Sequence, residues 1–274
     1  MSRKLIWIAA SLLAAAIVLT ACVTPTGGNG PDGGQNPGGA NAPLTSVQWD
    51  KAMRDTYDAL TKADANYKIV SSGTTVSGDD EHEYVMLQTF YVAGNKAKGD
   101  FSLTHGDFNP SGATYYELTV AHTLKVWQTD ADGAVTVEAE SDPIDLDDLN
   151  DGAMSYGGFK IAGKVTIGAL LSGALNLNDF TGMFDYFTFD DGWFKAKEER
   201  LEGIYNEFYM KMADGSGITD PPEGCFERFS IRIENGLLAG FEFKYVSEEM
   251  NLTTVTSYAV VFGGQSVSLP ENFG

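Results

Sequence analysis

Cysteine is nearly missing from this chain. The 274 residues hold two, Cys22 and Cys225, so no disulfide framework of the kind that staples small exported domains is available. Histidine is scarce too. His82, His105 and His122 stand far apart, and no H-E-x-x-H or C-x-x-C places metal-ligating side chains at a working spacing. Neither a G-x-S-x-G elbow nor a complete phosphate-binding G-x-x-x-x-G-K-[ST] loop occurs. Basic residues are few, 18 against 38 acidic ones, for a formal charge of −20. Such a surface repels phosphates, which excludes charge-driven binding of nucleic acid or anionic lipid heads. Long apolar runs are limited to one stretch, Leu5 to Ala21, at the lower length limit for a bilayer span.

That stretch has Arg3 and Lys4 before it and small residues at its end, the layout of a secretory signal. A retained anchor should end in basic residues, yet Val23 to Ala42 contains no Lys or Arg. Leu19-Thr20-Ala21-Cys22 resembles a bacterial lipobox. The resemblance implies removal of residues 1–21 as a lipoprotein signal peptide and lipidation of Cys22. A diacylated (palmitate-type) cysteine carries two chains, enough for stable anchoring. The expected location is therefore the extracytoplasmic face of a bacterial cell membrane, reached through the N-terminal lipid. Losing Arg3 and Lys4 would leave 16 basic and 38 acidic residues, a formal charge of −22.

Residues 22–43 then form a tether. From Thr24 to Pro43 the chain is mostly Gly, Pro, Asn, Thr and Ala, with Asp32 as its one charge. It cannot bury a core, and as a coil it spans roughly 25 Å. One folded domain is expected over residues 44–274.

Thr45 opens this domain as a helix cap, with Gln48 to complete a capping box and Leu44 to staple onto Trp49. Trp49, Met53, Tyr57 and Leu60 recur at helical spacing, predicting a helix that ends near Asn66. From Tyr67 the period becomes two, which predicts a meander of strands. The strands are expected over Tyr67–Val76, Glu83–Ala93, Lys96–Thr104, Ala113–Asp130 (one long strand or a bent pair, with His122 inside it) and Ala134–Glu140. An insert, Asp142 to Asp191, interrupts them, with a turn of helix carrying Phe180, Met183, Phe184 and Phe187. Strands resume at Trp193, Gly203–Lys211, Phe226–Glu234, after the Asn235-Gly236 turn, and over Asn251–Phe262. Phe229, Ile231, Ile233, Phe241, Phe243 and Tyr245 fall on one face and charges on the other, so something must cover the apolar face.

Trp49 to Leu60, the turn Asn95-Lys96-Ala97-Lys98, the insert around Phe184 and the tail Gly264 to Pro270 together resemble the LolA/LppX-like lipoproteins in overall pattern. The resemblance implies an α+β fold: a strongly curved antiparallel sheet, an unclosed half-barrel, wrapping an N-terminal helix and a helical insert. It also implies an apolar cavity for acyl chains.

Remaining candidates for chemistry are weak. Asp79-Asp80-Glu81-His82-Glu83 reads as a solvated hairpin tip rather than a metal site, since consecutive residues rarely converge on one ion. Asp148 to Gly152 lacks the third acidic position and the closing Glu of a calcium loop. Cys225 reads as a half-buried structural thiol. No metal, cofactor or catalytic group is expected, and the protein is not expected to be an enzyme. Two readings remain. In one it binds or carries an apolar ligand, a lipid or acyl chain, in a cavity lined by Phe229, Ile231, Ile233, Phe241, Phe243 and Tyr245, with Phe180, Met183, Phe184 and Phe187 as a lid. In the other it recognises a protein or glycan through its surface, and the sheet is only scaffold.

Overall fold

The computed structural model describes residues 43–78, 83–144, 166–168, 180–206, 224–249 and 251–270. Helix α1, Ser46–Thr61, begins as its capping box requires. The Thr45 hydroxyl accepts from the Gln48 backbone N–H at 3.3 Å, while the Gln48 side chain accepts from the Thr45 N–H at 2.8 Å. Its inward residues Trp49, Ala52, Met53, Thr56 and Leu60 are all buried. The helix stops at Thr61, short of Asn66, because Lys62 turns extended and Asn66 already begins a strand.

The strands are β1 (Asn66–Ser77), β2 (Tyr84–Ala93), β3 (Lys96–Thr104), β4 (Ser111–Leu118), β5 (Leu124–Thr129), β6 (Val135–Glu140), β7 (Phe187–Asp190), β8 (Trp193–Ala196), β9 (Cys225–Glu234), β10 (Leu237–Ser247) and β11 (Leu252–Phe262). They form one antiparallel sheet in the order β6-β5-β4-β3-β2-β1-β11-β10-β9-β8-β7. The first and last strands meet in the middle, registered from Tyr67↔Phe262 to Ser77↔Leu252. Two meanders run outward from that seam, and the sheet is not closed into a barrel. The fold is the expected α+β class, mostly sheet. Asn66 locks the seam, since its side-chain amide exchanges two hydrogen bonds with the Gln265 backbone, at 2.9 and 2.8 Å.

Several local expectations change. The stretch 113–130 is a bent pair, β4 and β5, joined by a turn in which His122 sits at φ 60°, so this histidine is not in a strand. Among the described residues, the insert's predicted helical turn is a 3-10 turn, Phe184–Tyr186, with Phe180 also in 3-10 conformation. Phe187 leaves it as strand β7, because Phe187 and Phe189 alternate with Thr188 and Asp190 and pair with β8. Residues 201–206 are helical, so the described part of the expected strand Gly203–Lys211, residues 203–206, is not extended. Leu201, Ile204 and Tyr205 stand at i, i+3 and i+4, and all three are buried; this stripe outweighs the alternation read over the longer stretch. Cys225 is exposed, not half-buried. Cys22, the tether, the tip around His82, Asp148 to Gly152 and 207–211 lie outside the described residues.

Asn235-Gly236 turns β9 into β10 with both residues at positive φ, 55° and 73°. This is the conformation that a two-residue hairpin needs and that Asn and Gly supply at least cost.

Candidate functional site

The inner face of the sheet is where the predicted site residues gather. Alternation along β9 and β10 sends Phe229, Ile231, Phe241 and Phe243 to this face, and cross-strand register sets Phe243 opposite Phe229 and Phe241 opposite Ile231. A register shift between Lys244 and Tyr245 brings Phe226 onto the same face, opposite Tyr245. The rings touch. Phe226 lies 5.3 Å from Phe229 and 5.0 Å from Phe243, and Phe229 stacks on Phe243 at 6.2 Å. Phe229 and Ile231 are each 1% exposed.

Helix α1 closes the cluster. Trp49, fully buried, packs on Phe187 at 5.0 Å, Phe194 at 5.1 Å and Phe184 at 6.2 Å. Its indole N–H donates to the Phe180 carbonyl at 2.7 Å. The Gly182 N–H donates to the Asp50 carboxylate at 2.7 Å, so two helix residues pin the insert. On the sheet side, the buried Thr56 hydroxyl donates to the Ala52 carbonyl at 2.7 Å and accepts from the Leu238 N–H at 2.8 Å. Leu238 borders an irregularity in the β9–β10 pairing, and Thr56 satisfies the amide there. Phe180, Met183, Phe184, Ile233 and Tyr245 are half-buried and pack against this same cluster, while Phe187 is buried within it.

The outer face carries a second arrangement, one that sequence reasoning missed. Register aligns side chains across five strands: Lys68 on β1, Tyr91 on β2, Lys98 on β3, Tyr115 on β4 and Trp127 on β5. Cations and rings alternate along this row, with Lys68 Nζ 5.7 Å from the Tyr91 ring centre and Lys98 Nζ 5.6 Å from that of Tyr115. The adjacent row is small, running through Thr89, Asp100, Ala113 and Thr129. Beyond it come Leu87, Ser102 and Ser111. Small residues beside Tyr115 leave a trough across the strands, about 410 Å³ in volume, with Asp130, Ala131 and Gly133 of the following turn in its lining. The available signal was the outward placing of Tyr91, Tyr115 and Trp127, positions where alternation alone would put charge.

The carboxylates of the trough are already engaged. Asp100 pairs with Lys98 at 2.8 Å. Burial opposes the Lys98 charge, but the hydrogen bond and charge of Asp100, with Tyr115 and Tyr91, hold its pKa above the usual lysine range. Asp130 accepts from the backbone N–H groups of Asp132 and Ala134 at 3.0 and 2.9 Å. Among the described residues no three His, Cys, Asp or Glu side chains come together as a metal site, and no helix is long and apolar enough to cross a membrane.

No family model matches the chain, nor does any curated protein. Among solved structures, the chain is similar to the crystal structure of a DUF1329 family protein from Desulfovibrio piger. The TM-score is 0.27 and the identity 9%, over 80% of this chain and 94% of that one.

Proposed function

We propose that this protein is a membrane-tethered, non-catalytic binding domain. Lipid on Cys22 holds it at the extracytoplasmic surface, the aromatic interior is scaffold, and the open outer face takes the ligand. The observation that carries this reading is the contact of inner-face rings with one another and with Trp49. An acyl chain entering there must first part rings that already fill each other's space, and vacating one large buried ring costs about 3–5 kcal/mol. The outer trough asks no such cost, because it stands open.

The apolar-carrier reading has one observation in its favour. Met183 and Phe184 are only half-buried, and the 3-10 turn that begins at Phe184 has no side-chain cap. Native mass spectrometry of the full-length protein, released from its own membrane, separates the two. The scaffold reading expects lipid mass only as acyl chains covalently on Cys22. Non-covalent lipid that co-purifies and is lost in Phe184→Asp overturns it in favour of the carrier. An unmodified Cys22 overturns the tether.

A further inference from the structure

The trough's composition points to the chemistry of what it holds, and we propose that it is a binding site for a neutral saccharide. This rests on the reading of the outer face as the ligand surface. Three observations converge. First, the volume of about 410 Å³ falls within the range of small-molecule sites, roughly 300–1,000 Å³. Second, its charged groups already have partners: Lys98 pairs with Asp100, and the backbone N–H groups of Asp132 and Ala134 both donate to Oδ1 of Asp130, which keeps its charge. An anion would meet two carboxylates and a cation would compete with Lys98 for Asp100, whereas a neutral ligand does neither. Third, what remains available is hydroxyl and aromatic surface. Thr89, Ser102 and Ser111 line the trough with hydroxyls. Each hydroxyl can both donate and accept, as a sugar hydroxyl does. Tyr115 lines the same wall, and the electron-rich face of a ring attracts the weakly positive C–H side of a pyranose. Lys98 Nζ stands 5.6 Å from the centre of this ring, so a sugar would meet the part of the ring that the lysine leaves open.

The test is calorimetric titration of the full-length protein in detergent with cellotriose, maltotriose and chitotriose, and with spermidine as the cationic alternative. At least one trisaccharide should bind. Tyr115→Ala should weaken it about tenfold, the worth of one aromatic contact. Thr89→Arg should abolish binding by filling the floor, with Ser102→Arg on the neighbouring strand as a second blocking variant should the first fail to fold. Thermal melts confirm that each variant is native. Binding of none of the three sugars overturns the saccharide assignment. Spermidine binding that Thr89→Arg abolishes overturns the ligand class while leaving the trough as the ligand surface. Sugar binding untouched by either blocking variant overturns the trough itself.

Discussion

The two faces of this sheet use the same backbone ladder for opposite ends. On the inner face, β9 and β10 point Phe229, Ile231, Phe241 and Phe243 into a cluster that α1 seals with Trp49. On the outer face most intervening residues are charged, and Arg228 pairs with Glu242 at 3.4 Å while Lys244 pairs with Glu227. Across β1 to β5 the outer face goes further and sets lysines against rings beside a row of small residues. Ring contacts made in the dry interior add to stability. Ion pairs at the surface return little, because water and salt screen them. One side of the sheet therefore holds the fold, and the other is left freer to vary.

The strongest way to break this contrast is Trp49→Ala. It removes a fully buried indole, three ring contacts and the hydrogen bond to the Phe180 carbonyl. Destabilisation of about 3–5 kcal/mol is expected from the cavity left behind, read as a shift of the urea midpoint. A loss under about 1 kcal/mol would mean that the interior is loosely filled, and the outer face would lose its claim to be the open side.

A smaller effect of the same interior concerns Tyr116, buried on the inner face of β4 and stacked on Phe90 at 6.2 Å. Burial pushes its phenol pKa well above the usual tyrosine value, against a small opposing contribution from a hydrogen bond with Thr114. Burial raises Tyr258 in the same direction. The folded state thus keeps these protons at a pH where the unfolded chain begins to release them. Their contribution is complete below about pH 10 and falls as pH rises beyond it. Unfolding free energies from urea titrations should therefore drop on the alkaline side, by up to about 1.4 kcal/mol per pH unit for each such group. Tyr116→Phe should flatten that slope while leaving stability at neutral pH nearly unchanged. An equal slope in the variant would show that the Tyr116 phenol reaches solvent.

How much of this was legible in the sequence follows from the range of the interactions involved. The capping box at Thr45 and Gln48 and the hairpin at Asn235-Gly236 are settled within four residues, and both were readable. Alternation gave the inward set on β9 and β10 for the same reason. Residues 201–206 misled, because a short stretch carried both an alternating pattern and an i, i+3, i+4 stripe, and burial of Leu201, Ile204 and Tyr205 against the core decided for the helix. The seam between β1 and β11 joins the two ends of the domain, and no local signal announces it. The trough was illegible in a stronger sense. Thr89, Asp100, Ala113 and Thr129 become neighbours only when the registers of four strands are known together, and a slip of one residue in any strand would send that side chain to the other face.

The smallest expected effect is the most informative about the outer face. Lys98 forms an ion pair with Asp100 and sits over Tyr115, yet both partners of the pair are about a third exposed. Screening by water reduces such a pair to between about 0.2 and 1 kcal/mol, and an exposed cation–ring contact contributes about 0.5–1 kcal/mol. The two share one ammonium and are not independent, so Lys98→Gln should cost less than about 1 kcal/mol. It should cost still less in high salt, where the pair is already weakened. Trp49→Ala should keep its full cost at any salt concentration, because no charge is involved. Urea unfolding of both variants at low and high salt therefore gives the contrast its sharpest form. If Lys98→Gln approached the cost of the tryptophan variant and ignored salt, the row across β1 to β5 would be part of what holds the sheet together, and the trough beside it a by-product of packing rather than a surface left open for a ligand.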